Sequence, residues 1–293
     1  MQRLPGNSQC QSWSLGAPGV GATCSARLPR SYLFVPADRL DRLDKALASG
    51  ADAVIVDLED AVSPDVKIAA RTLVASWLTP AREVYIRING AGTEWFKQDV
   101  AHFANHAGVA GIVLPKAESA EQIVTVLETA HDRLVVLPII ETAQGFWNLV
   151  ELCRAPRVSR VMFGSLDFQI DLGLADDPEV LLAYRSQLVL VSRVAGIGAP
   201  VDGVTTTLDD DGATFADAKR AQRMGFRGKL CIHPKQIDSV HRAFSHTRAE
   251  RAWAQRVLDT VAANGGAAVS IDGKMVDLPM ILKAREIAGS FDA

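Results

Sequence analysis

From Ser31 onward, short β-branched runs alternate with helix-length segments whose apolar positions recur every three or four residues. That alternation restricts the chain to folds built from parallel βα units. The runs are Tyr32 to Val35, Ala53 to Asp57, Val84 to Ile88, Gly111 to Leu114, Val135 to Ile140, Val158 to Phe163, Val201 to Val204 and Gly228 to Ile232. The segments between them read as helices: Arg39 to Ala48, Lys67 to Trp77, Trp95 to Ala104, Ala120 to Ala130, Phe146 to Leu152, Glu179 to Ala195, Gly212 to Met224 and Pro234 to Ala243. Eight strands, each followed by a helix, close a barrel. An open doubly wound sheet would carry a Gly-rich phosphate fingerprint after its first strand, but Val35 runs into Pro36, Ala37 and Asp38 without one. The expected fold is therefore α/β, a (β/α)8 TIM barrel over residues 29–246.

The flanks read differently. Residues 247–293 exceed what a barrel needs: a helix from Arg248 to Ala263, a Gly265-Gly266 hinge, a β-like stretch at Val269 to Ile271, a turn at Asp272-Gly273 and a last helix from Pro279. Such a C-terminal helical appendage is long enough to act as a lid over its own active-site mouth or a neighbour's. Residues 1–28 are rich in Gly, Ser and Pro, hold no acidic residue and carry only Arg3 and Arg27 as charges. Pro5, Gly16, Pro18 and Gly19 break any amphipathic presequence helix, so a disordered tail is expected.

Charge and cysteine usage narrow the partners. With 31 basic against 34 acidic side chains and a net charge of -3, nucleic acid is not an expected partner. No apolar run approaches the roughly 20 residues that cross a bilayer; the run from Leu134 to Ile140 is closed by Glu141. Cys10, Cys24, Cys153 and Cys231 lack CxxC spacing, which fits reduced thiols in a cytoplasmic protein.

In a parallel barrel the active site forms where strands end and βα loops begin. Nearly every strand here closes on a polar residue: Asp57-Leu58-Glu59-Asp60, Arg87-Ile88-Asn89, Pro115-Lys116, Glu141-Thr142, Gly164-Ser165-Leu166-Asp167 and His233-Pro234. Glu141 and Asp167 lie one βα repeat apart, on neighbouring strands, and two converging carboxylates suit Mg²⁺; equally, one caps a helix and the other pairs with a base. Arg87 offers a planar fork for a substrate carboxylate or polarised oxygen, or a structural partner for Asp57 or Glu59. Lys116 reads as a charge partner of the acidic loop, with a Schiff-base role requiring a depressed pKa. His233 reads as a turn residue, the Trp residues at 77, 95, 147 and 253 as packing, and Asp209-Asp210-Asp211 as a solvated loop.

A longer series of segments carries a resemblance. Ser31-Tyr32-Leu33-Phe34-Val35-Pro36 opens it, followed by Ala51 to Val62, Lys67, Ala70-Arg71 and Arg87-Ile88-Asn89. Val113-Leu114-Pro115-Lys116, Ile140 to Gly145, Asp171-Leu172-Gly173, Gly225 to Lys229 and Ile232-His233-Pro234 continue it. From about Arg30 to the C-terminus the chain resembles the HpcH/HpaI aldolase and citrate lyase β-subunit family. The resemblance implies a Mg²⁺-dependent carbon–carbon lyase that splits a 3-hydroxyacyl coenzyme A thioester, of citramalyl, malyl or citryl type, into a 2-oxo acid and acetyl-coenzyme A.

On the same basis Glu141 and Asp167 bind Mg²⁺, with Arg87 and Glu141 meeting the substrate beside it. Phe34, Val201 and Asp202 are implied substrate contacts, and Asp57 and Glu59 orient Arg87 and Lys116. Asp277, in Gly273-Lys274-Met275-Val276-Asp277-Leu278-Pro279, matches the acid/base that a neighbouring subunit of a homotrimer supplies. The expected partners are the acyl-coenzyme A substrate and other copies of the chain; an acyl carrier protein is the partner if the chain works only inside a citrate lyase assembly. A thioesterase using the same site is the other enzymatic reading. The chain departs from the family pattern at Ala37, in the loop over the thioester arm, and at Gly90-Ala91-Gly92 and Ser165 to Gln169, loops that face the variable end of the acyl group.

Overall fold

The computed structural model describes residues 28–175, 178–263, 269–271 and 274–289. The tail expected over residues 1–28, the Gly265-Gly266 hinge and the Asp272-Gly273 turn lie outside the described residues, apart from Leu28.

Seven parallel strands form one sheet: β1 (Ser31–Pro36), β2 (Ala53–Asp57), β3 (Val84–Arg87), β4 (Val109–Leu114), β5 (Val135–Ile140), β6 (Met162–Phe163) and β7 (Lys229–Cys231). Their spatial order is β6-β5-β4-β3-β2-β1-β7. The expected strand from Val201 to Val204 shrinks to two single parallel bridges, Met162 to Val201 and Asp202 to Lys229. Those bridges span the gap between β6 and β7 and bring the ring close to closure. The expected strand from Val158 is likewise reduced to Met162–Phe163 plus a bridge between Val136 and Val158.

Period-2 alternation sorts the strand residues. Tyr32, Ile55, Val113, Leu137, Ile139, Met162 and Leu230 fill the barrel interior together with Phe34 and Tyr85. Leu33, Val35, Val54, Val56, Ile86, Ile112, Leu114, Val136 and Ile140 face outward into a larger core shared with the helices. Both faces are apolar because helices cover the outside of the ring.

That coat comprises α1 (Leu40–Leu47), α2 (Lys67–Trp77), α3 (Phe96–Phe103), α4 (Ala120–Leu127), α5 (Ala143–Trp147), α6 (Leu149–Arg154), α7 (Ser165–Leu172), α8 (Leu182–Ala195), α9 (Asp211–Met224) and α10 (Gln236–Phe244). Two differ from expectation. The helix from Phe146 to Leu152 is split at Asn148 into α5 and α6, and Thr142 caps α5 by accepting from the Gly145 N–H at 3.0 Å. The stretch read as the end of the sixth strand forms α7, which Gly173 closes at φ 64°, a left-handed conformation natural to glycine. Trp147 is 86% exposed and does no packing.

The N-terminal end of the barrel is plugged by Arg160, which is fully buried. It donates to the backbone oxygens of Ala199 and Pro29, each at 2.8 Å, and lies over the Tyr32 ring. Helix α11 (Arg248–Ala263), the antiparallel pair β8 (Val269–Ile271) and β9 (Lys274–Val276), and α12 (Leu278–Gly289) follow the barrel. The appendage has its own small core of Ala254, Val257, Val276, Ala284 and Ile287. Among the described residues no helix is long and apolar enough to cross a membrane.

Candidate active site

The alternation that fills the barrel also aims its rim. Ile55, Tyr85 and Ile139 point inward, so Asp57, Arg87 and Glu141, each two residues further along, share that face at the C-terminal ends of β2, β3 and β5. Register does the rest: Asp57 and Arg87 are direct partners across the β2–β3 ladder. Arg87 donates from Nε to Asp57 Oδ1 at 2.7 Å and from Nη2 to Asp57 Oδ2 at 2.5 Å. Its remaining nitrogen, Nη1, lies 3.1 Å from Glu59 Oε2 and 3.6 Å from Asp60 Oδ2. The guanidinium also stacks on Phe34, 4.7 Å from the ring centroid. Burial alone would depress the Arg87 pKa, but the charge of Asp57 and its hydrogen bonds, with Glu59 and Asp60 behind them, raise it instead.

The loop after β2 is pinned from below. Lys67 Nζ donates to the backbone oxygens of Leu58 and Glu59 at 2.8 and 2.7 Å, which fixes Glu59 against Lys116. Lys116 Nζ donates to Glu59 Oε1 at 2.6 Å, and that bond and charge outweigh burial to raise the lysine pKa. Lys116 is thus the charge partner that its position suggested, and it lacks the depressed pKa of a Schiff-base amine. Its backbone sits at φ 45°, a conformation costing an L-residue roughly 1–2 kcal/mol. In that pose its N–H donates to Glu141 Oε1 at 2.7 Å.

Glu141 is 2% exposed. Burial, followed by the like charge of Glu59, pushes its pKa up to about 8 against the bonds and charge of Lys116 and Arg87. Close packing holds it there: a Cβ added to Gly164 would come 2.5 Å from the Glu141 Cβ and closer still to Oε2. No signal short of the folded backbone exposes that role for Gly164.

Glu141, Asp167, Arg87, Asp57 and Asp60 line one cavity of about 370 Å³. Asp167 reaches it from the first turn of α7 and not from a strand. Much of the remaining wall is apolar, supplied by Phe34, Ile139, Phe163, Val204, Leu230 and Ile232. Sequence reasoning singled out only Phe34 among these.

The donor chemistry fits a hard divalent cation. Five carboxylates at this mouth, Asp57, Glu59, Asp60, Glu141 and Asp167, face only two cations, Arg87 and Lys116, and both of those are engaged by Asp57 and Glu59. A buried carboxylate with a raised pKa is the group that gains most from a positive ion beside it. No cluster of three or more His, Cys, Asp or Glu suited to a metal occurs among the described residues. Glu141 and Asp167 would therefore leave most coordination positions to water and substrate oxygens, the preference of Mg²⁺.

Two sequence expectations differ in placement. Val201 and Asp202 are fully buried and do not line the cavity. Val201 packs in the barrel interior, and Asp202 accepts from Arg185 Nε at 2.8 Å with Lys229 Nζ 3.6 Å away. Local sequence does not mark those two cations as partners, because Arg185 sits within a helix and Lys229 opens a strand. Asp277 is exposed and stays away from its own chain's cavity; its Oδ1 accepts from the Met280 N–H at 3.2 Å, capping α12. His233 holds a turn, its Nδ1 accepting from the Lys235 N–H, and Asp209 to Asp211 are exposed.

Residues 30–234 match the model of the family described as HpcH/HpaI aldolase/citrate lyase. A citrate lyase subunit beta-like protein of Deinococcus radiodurans is 38% identical over 89% of this chain and 96% of its own length. A (3S)-malyl-CoA thioesterase of Cereibacter sphaeroides is 34% identical over 90% of this chain and 95% of its own. Among solved structures, protein CitE from Mycobacterium tuberculosis, in complex with magnesium, acetoacetate and coenzyme A, superposes with a TM-score of 0.79 at 32% identity. That match covers 90% of this chain and 98% of the other. With strand order, rim chemistry and these likenesses in agreement, the chain belongs to the HpcH/HpaI aldolase/citrate lyase family.

Proposed function

We propose that this chain is a Mg²⁺-dependent carbon–carbon lyase that cleaves a 3-hydroxyacyl-coenzyme A, of citramalyl, malyl or citryl type, into a 2-oxo acid and acetyl-coenzyme A. The observation that carries this reading is the convergence of Glu141, Asp167 and Arg87 on one otherwise largely apolar cavity. Magnesium in the related CitE complex supports it.

Glu141 and Asp167 would hold Mg²⁺, which when bound would supply Lewis-acid polarisation of the substrate's oxygens. Arg87, locked onto Asp57, presents its outer edge to the oxygen that becomes the ketone. The bond between the acyl α- and β-carbons breaks as the carboxylate of a neighbouring copy's Asp277 takes the hydroxyl proton, and the electron pair of that bond passes to the acetyl thioester fragment as an enolate. Asp277 of a neighbouring copy, within a homotrimer, returns a proton to that carbon. Phe34, Phe163 and Leu230 keep water from the enolate and favour protonation over side reactions. In this reading residues 247–293 serve as the lid of a neighbour's barrel, and the enzyme works in the cytoplasm.

A thioesterase is the second reading, because a relative bears that name; there the site directs water to the thioester carbonyl. A citrate lyase subunit beta of Leuconostoc mesenteroides, 33% identical, keeps a carrier-protein thioester in view as the substrate form. The test is 2-oxo acid release from citramalyl-, malyl- and citryl-coenzyme A, with and without chelator. Chelator-sensitive pyruvate, glyoxylate or oxaloacetate supports the lyase. Free coenzyme A without a 2-oxo acid supports the thioesterase, and inertness toward all three thioesters overturns a free-standing lyase.

A further inference from the structure

A second cavity, of about 190 Å³, lies behind the first. Ser165, Leu166 and Val204 line both, so one layer of residues separates them. Its own wall is cationic: Arg185 from α8, Arg220 from α9 and Lys229 from β7 face it, against Asp217. Counting the buried Asp202 that Arg185 and Lys229 share, three positive side chains meet two carboxylates.

Two of these cations have spare donors. Arg185 is 5% exposed, yet its Nη1 has no hydrogen-bond partner; Nε is committed to Asp202. The Arg220 Nε is likewise buried without a partner, while its Nη2 meets Asp217 at 2.9 Å. A guanidinium nitrogen only donates, so the missing partner must be an acceptor, and the charge balance favours an anionic one. Leaving such buried donors unsatisfied is destabilising. The cavity exceeds the roughly 30 Å³ that one water occupies. Thr206 and Thr207 add hydroxyls to its rim.

We propose that this second cavity is a binding site for a small oxyanion, a carboxylate or a phosphate group, held by the free donors of Arg185 and Arg220. Its place in the fold links it to the reaction. Arg185 lies over the Phe163 ring, 5.4 Å from its centroid, and Phe163 walls the catalytic cavity. Leu166, the neighbour of Asp167, faces both spaces. An anion here bears on the segment that carries Asp167.

The test is calorimetric titration of the full, metal-free chain with inorganic phosphate. A saturable isotherm is expected. Arg185→Lys keeps a cation beside Asp202 but removes the spare nitrogen, and binding should weaken at least roughly tenfold, about 1.4 kcal/mol. Arg220→Gln acts at the partly exposed side of the pocket, where folding is not at stake, and should weaken it similarly. No saturable binding to the wild-type chain overturns the site and leaves it as a water pocket. Equal affinity in both variants overturns it too, placing the phosphate elsewhere. Steady-state kinetics with phosphate then distinguish the sources: competition with the thioester assigns the site to a group of the substrate itself, and a change in kcat at saturating thioester assigns it to a separate free anion. Both of these outcomes support the site.

Discussion

Asp57 and Arg87 stand directly opposite one another in the β2–β3 ladder, and the register that pairs their Cα atoms also seats the guanidinium on both carboxylate oxygens, at 2.7 and 2.5 Å. The pair is nearly enclosed, with side-chain exposures of 2% for Asp57 and 12% for Arg87. Asp57→Ala would remove the arginine's bidentate partner and leave Glu59 and Asp60 as its counter-charges, so a loss of about 1–3 kcal/mol is expected in urea unfolding. Arg87→Lys keeps the charge but not the fork; kcat/KM should fall by roughly 10²–10³ while the far-ultraviolet spectrum is preserved.

Glu141 gives the metal-free protein a pH signature. Its folded pKa, about 8, lies above the ordinary 4.5, so the folded state holds the proton more tightly than the unfolded state does. Its contribution is greatest below pH 4.5 and is lost as pH rises toward 8. Glu59 shifts in the same direction, because burial raises it too. Urea unfolding of the metal-free chain should show this decline, flattened in Glu141→Gln. Mg²⁺ must displace that proton, so its affinity should rise over the same window.

Gly164→Ala is the sharpest steric probe of the site. The added methyl would overlap the Glu141 side chain, and overpacking costs roughly 1–3 kcal/mol. Because the carboxylate must move, Mg²⁺ affinity by titration calorimetry should drop by about tenfold or more. Unchanged affinity would show that Glu141 does not bind the metal in this pose.

Asp277→Asn should leave the appendage folded, since Asn caps a helix about as well as Asp, yet abolish turnover. Asp277→Ala should additionally cost α12 about 1 kcal/mol. Mixing inactive Asp277→Asn with inactive Glu141→Gln tests where the acid comes from. If it is supplied between subunits, activity returns on subunit exchange; if each chain uses its own, it does not.

Lys116 should form no imine. Borohydride added with pyruvate or oxaloacetate should leave the intact mass of the chain unchanged, because the amine is raised in pKa and held by Glu59 at 2.6 Å. A reduced adduct on Lys116 would overturn the metal-based reading.

Sequence alone determined what periodicity and local chemistry can carry. Alternating β-branched runs and amphipathic segments required parallel βα units, and the polar residue closing each run marked the rim, so Asp57, Arg87, Lys116 and Glu141 were legible before any fold was known. What depends on backbone approach was not legible. The strand expected from Val201 to Val204 became two bridges at Val201 and Asp202, and the burial of Asp202 is settled by Arg185 and Lys229, residues distant in the chain. Asp167 moved from a strand end to a helical turn. The left-handed Lys116, the closeness of Gly164 to Glu141 and the spare donors of Arg185 exist only once strands and helices are packed. Periodicity assigns a residue to a face, but which groups meet on that face, and which are left without a partner, is set by contacts between segments far apart in sequence.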